Sequence, residues 1–89
     1  MDSFSFIETC KSLVIDYTNN HLDMTDKKIK LAGEDDVFVV WSCKILQNNK
    51  ALLSTTLLDG MYYEITFNGD KNELYFDAYK KWENKKIEI

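Results

Sequence analysis

The chain has 89 residues, 45% of them hydrophobic and 29% charged, with no proline and three glycines. That composition excludes disordered and collagen-like classes and leaves room for a single core. Fifteen acidic residues against eleven basic ones give a net charge of -4, and every basic residue is a lysine, so double-stranded DNA is a poor expected partner: the chain lacks both diffuse attraction to phosphate and the guanidinium fork that reads guanine edges.

From Ser3 to about Asn20, Phe6, Ile7, Cys10, Leu13, Val14, Tyr17 and His21 recur at three-to-four spacing, which predicts one amphipathic helix. Asp2 or Ser3 suits its N-cap, and Ser5 with Glu8 fits a capping box. Asn19-Asn20-His21 offers an exit, because asparagine tolerates the left-handed conformation that ends many helices. Residues 21–36 form a polar connector, in which Lys28 to Leu31 has enough strand character to supply an extra strand. The period then changes to two. Strands are expected over Val37 to Leu46, Ala51 to Leu58, Met61 to Phe67 and Glu73 to about Trp82, joined by turns at Asn48-Asn49, Asp59-Gly60 and Asn68 to Asn72. Residues 83–89 are a short charged tail.

One helix ahead of a four-stranded antiparallel meander, five-stranded if Lys28 to Leu31 joins it, makes a single two-layer α+β domain. Alternation assigns Val37, Val39, Trp41, Cys43, Ile45, Met61, Tyr63, Ile65, Phe67, Leu74, Phe76 and Ala78 to the side facing the helix. The opposite face collects Phe38, Val40, Ser42, Lys44, Tyr62, Glu64, Thr66, Tyr75, Asp77, Tyr79 and Lys81, and no second helix is available to cover it. Phe38, Tyr62, Tyr75 and Tyr79, with Lys44 and Lys81, are therefore the candidate partner- or ligand-binding residues. Tyrosines on a solvated sheet also serve stability alone as cross-strand pairs, whereas an aromatic patch rimmed by charge marks an interaction surface for a second copy of the chain or a partner protein, so a homo-oligomer is expected as well as a host-protein partner.

Catalytic constellations are lacking. His21 is the sole histidine, and helix rise sets it about 16 Å from Cys10, too far for a thiolate-imidazolium pair. The acidic groups Glu34-Asp35-Asp36, Asp23 with Asp26, and Asp70 with Glu73 follow no calcium-loop spacing, and the isolated glycines build no phosphate cradle. A non-catalytic protein without metal or cofactor is expected. Cys10 and Cys43 read as buried, reduced thiols. The opening Met-Asp-Ser-Phe-Ser shows no signal-peptide pattern and no run reaches the roughly 20 apolar residues of a membrane span, so a cytoplasmic location is expected.

The segments Val37 to Lys44, Leu46 to Thr55 and Asp59 to Lys71 resemble a domain-of-unknown-function family of short proteins carried by phages and prophages of Gram-positive bacteria, with similarity running from the helix to Glu83. That resemblance carries no site residues. It implies a host-cell setting and a stoichiometric binder that occupies a host protein, such as a defence component. Two alternatives stand beside it: a homo-oligomeric sponge that traps a nucleotide signal between subunits, and a single-stranded nucleic-acid platform using the tyrosines with Lys44 and Lys81.

Overall fold

The computed structural model describes residues 1–22 and 30–89. Helix α1 spans Ser3–Asn20, and the Asp2 carboxylate caps it by accepting the Ser5 N–H at 2.7 Å. Phe6, Cys10, Val14 and Thr18, each four residues on, form its buried stripe. Ile7, Leu13 and Tyr17 flank that stripe. The exit differs from expectation. His21 closes the helix at φ -106, outside the left-handed region, with its N–H on the Thr18 carbonyl at 3.1 Å and the Leu22 N–H on the Asn19 carbonyl at 3.5 Å. Asn19 is used elsewhere: its amide donates to the Ala32 carbonyl at 3.1 Å and accepts the Ala32 N–H at 2.8 Å, clamping the end of the connector to the helix.

Four strands, β1 Val37–Ile45, β2 Asn48–Thr55, β3 Met61–Asn68 and β4 Glu73–Lys80, form one antiparallel sheet in the order β1-β2-β3-β4. With α1 on one side this is the expected α+β fold. Lys30 and Leu31 belong to no strand, and the rest of the anticipated extra strand, residues 28 and 29, lies outside the described residues.

Two turns sit elsewhere than the local residue types predict. The first falls at Leu46-Gln47, with Leu46 at φ 56, and Asn48 and Asn49 lie inside β2. Tertiary contacts decide this. The Asn48 carboxamide oxygen accepts the Gly69 N–H at 3.0 Å, and Asn49 is 2% exposed. The Gln47 amide donates to Asp70, and a Cβ at Gly69 would collide with the Gln47 carbonyl oxygen, so that position requires glycine. The second difference is at the other end of β2, which stops at Thr55 and leaves Leu57 and Leu58 in a loop. There Thr56 donates its N–H to the Asp36 carbonyl at 2.8 Å and its hydroxyl to the Asp36 carboxylate at 3.1 Å. That contact ties the loop to the short 3-10 turn Glu34–Asp36. Gly60, at φ 69, then leads into β3.

The core joins Phe6, Cys10 and Val14 of the helix to Val37, Ala51, Leu53, Tyr63, Ile65 and Phe67 of the sheet. Helix α1 lies over β2 and reaches β1 and β3. On β4, beyond the helix, Leu74 and Phe76 are half-buried and Ala78 is exposed.

The face assignment of β1 is corrected at one point. Val39 pairs with Leu53 but Trp41 pairs with Leu52, so Val40 is an extra, bulged residue. Every residue after it changes side. Trp41, Cys43 and Ile45, expected against the helix, stand on the outer face, 42% exposed at Trp41 and 67% at Ile45. Cys43, expected to be buried, is exposed and free. Ser42 and Lys44 move to the helix side.

Candidate functional site

The outer face is a grid of cross-strand rows fixed by register. Phe38, Ser54, Tyr62 and Tyr79 make the first row, Trp41, Leu52, Glu64 and Asp77 the second, and Cys43, Lys50, Thr66 and Tyr75 the third. Phe38, Trp41, Tyr75 and Tyr79 are between 42% and 53% exposed, and no element of the described residues covers them. Ser54, in the first row, gives its hydroxyl to the Met61 carbonyl at 2.8 Å.

Charge on this face is mostly negative. Lys50 pairs with Glu64 at 3.3 Å, which leaves Asp77, directly opposite Glu64, facing a carboxylate across the strands. The Tyr75 hydroxyl donates to Glu73, and that bond raises the phenol above its ordinary pKa because the neighbouring carboxylate favours the protonated ring. Such a face suits apolar and basic groups of a partner and offers little to phosphate.

Of the candidate residues, Phe38, Tyr62, Tyr75 and Tyr79 come together on this face. Lys44 does not. The bulge turns it to the helix side, where its ammonium donates to the Met1 carbonyl at 3.0 Å and its charge helps lower the Asp2 carboxyl. Lys81 follows the last residue of β4, is exposed, and gives its N–H to the Gly60 carbonyl at 2.7 Å. Trp41, Cys43 and Leu52 belong to the face and escape sequence reasoning. The only sequence trace of the bulge is the adjacent apolar pair Val39-Val40, which alternation alone does not flag.

A concavity of about 300 Å³ opens at the C-terminal end of α1, lined by Tyr17, Thr18, His21, Asp59, Tyr63 and Lys80 among others. The His21 ring stacks on Tyr17, centroids 4.1 Å apart, and its Nδ1 lies 2.7 Å from the Tyr17 carbonyl, the helix-end role expected of it. Thr18 is buried there, and burial raises the Tyr63 phenol above its ordinary value, an effect that the neighbouring Thr18 hydroxyl partly offsets. Among the described residues, no group of three or more His, Cys, Asp or Glu side chains could hold a metal ion, and no helix is long and apolar enough to cross a membrane.

The model of DUF6275, a family of unknown function, matches residues 7–89, from the first turns of α1 through the tail. The chain belongs to that family. The expected membership of a family of unknown function is thereby borne out. No curated protein and no solved structure matches the chain.

Proposed function

We propose that this is a non-catalytic binding protein that holds a protein partner stoichiometrically against the outer sheet face. The observation that carries the reading is that one sheet face exposes Phe38 and Trp41 on β1 and Tyr75 and Tyr79 on β4, while among the described residues the helix packs on the other face. Large, stiff rings make good anchors for a partner. The carboxylates of Glu64 and Asp77 in the middle row favour a partner with a basic group at its centre. The phage-protein resemblance adds the setting: a host cell, and a host protein, such as a defence component, as the captured partner.

The test pairs capture with integrity of the fold. Tagged protein expressed in a Gram-positive host is expected to co-purify one polypeptide in fixed ratio, and the double variant Tyr62→Ser/Tyr75→Ser to lose it at least about tenfold while keeping its far-ultraviolet circular dichroism. Undiminished capture by the double variant overturns the reading. A nucleotide sponge is the second reading, supported by the cleft where the Tyr17-His21 stack and Lys80 meet. It requires ultraviolet-absorbing material that heat releases unchanged. The nucleic-acid platform has less support, because Lys44 is absent from the tyrosine face and Lys50 is paired to Glu64.

A further inference from the structure

Beyond β4 the chain continues through residues 81–89 outside any helix or strand, every residue exposed, with Trp82 at 95% and Ile87 at 77%. Its ion pairs join residues two apart, Lys85 with Glu83 at 3.8 Å and Lys86 with Glu88 at 3.1 Å. Side chains two apart share a face of an extended chain. The tail thus carries Glu83, Lys85, Ile87 and Ile89 on one face and Trp82, Asn84, Lys86 and Glu88 on the other, the pattern of a strand without a neighbour. Residues 80–89 hold four lysines and two glutamates, a charge of +2, which leaves -6 of the overall -4 to residues 1–79. A basic strand and an acidic body complement each other.

The sheet has two open edges, and they differ. The bulge at Val40 interrupts β1, and bulges blunt an edge against further pairing. Strand β4 is regular along its whole pairing with β3, and the helix leaves its Leu74 and Phe76 only half-covered.

We propose that the tail Trp82–Ile89 of one copy adds as an antiparallel fifth strand to the β4 edge of a second copy, each copy giving and receiving one tail in a two-fold dimer. A single register satisfies both faces. With Ile87 opposite Phe76 and Ile89 opposite Leu74, Lys86 falls opposite Asp77 and Glu83 opposite Lys80. Folding the tail back on its own β4 in that register would need Lys81-Trp82 as a two-residue hairpin loop. Such loops favour Gly, Asn or Asp at positive φ, and Lys81 already spends its N–H on the Gly60 carbonyl. The dimer goes beyond the binding role of the outer face and leaves its central rows open.

Sedimentation equilibrium of the full chain tests the proposal. The wild type is expected to dimerise reversibly. Lys86→Glu and Asp77→Lys each set like charges opposite one another twice per dimer and should each weaken association about tenfold, and combining them should restore it. Both sites are exposed, so circular dichroism should stay unchanged in all three variants. Tyr62→Ser, on β3 away from the edge, should dimerise like the wild type even if it loses a captured partner, which keeps failure of the dimer separate from failure of the binding face. A wild type that stays monomeric at high concentration, or a charge-swapped double variant no stronger than either single one, overturns the proposal.

Discussion

Cys10 and Cys43 bear the same thiol in opposite surroundings. Cys10 sits in the second turn of the buried helical stripe, fully enclosed, and burial pushes its thiol up to about 12 because the thiolate would lose its hydration. Cys43 stands exposed on the outer face beside Lys50 in the third row. A thiol reagent at pH 8 is therefore expected to modify one cysteine of the native protein quickly and the second only after denaturant is added. Mass spectrometry should locate the fast label on Cys43. A fast label on Cys10 would show that α1 leaves the sheet far more often than its packing implies.

At the scale of elements, α1 depends on its cap. Asp2 is held below its ordinary pKa, first by the Ser5 backbone N–H and then by the Ser5 side chain. Because the folded value is the depressed one, the carboxylate stabilises the helix fully above the ordinary aspartate pKa of about 3.9, and that contribution disappears as pH falls through the lowered folded value. Asp2→Ala should lower the thermal midpoint by a few degrees at pH 7, and the gap from wild type should close on acidification below pH 4. A gap that persists in acid would mean that Asp2 acts through something other than its charge. Asp36, lowered chiefly by the Gly33 N–H and also by the Thr56 hydroxyl, responds with the same sign and remains in both proteins. The helix was legible because its apolar positions repeat at one spacing from Phe6 to Tyr17, and the strand identities because β-branched and aromatic residues gather in four runs. Register was less so. It depends on whether Val39 and Val40 share one alternation step, and on whether Asn48 turns the chain or reaches across to Gly69, both settled by contacts distant in sequence. The tyrosine face survived that error because Tyr62, Tyr75 and Tyr79 lie on unbulged strands, whereas Trp41 and Lys44 exchanged places.

For the molecule as a whole, one helix seals one face of the sheet, and nothing else among the described residues can replace it. The ring of Phe6, 1% exposed, packs in the cluster that also contains Leu53, Tyr63 and Ile65. Phe6→Ala leaves a void under the helix and should cost about 3 to 5 kcal/mol. In a domain this small that is a large part of the total stability, so helix and sheet should be lost together. Trp41 supplies the contrast. A larger side chain than Phe6, it stands 42% exposed after the bulge, so Trp41→Ala should cost less than Phe6→Ala, about 2 kcal/mol, because only part of its surface leaves water on folding. Urea unfolding followed by circular dichroism measures both, and Trp41 and Trp82 are too exposed for indole fluorescence to report the core reliably. If Trp41→Ala proves as damaging as Phe6→Ala, the β1 bulge is misplaced and the outer face loses its tryptophan. If only Phe6→Ala unfolds the chain, the aromatic face is free of the core's demands, and its residues can be changed to test binding without disturbing the fold.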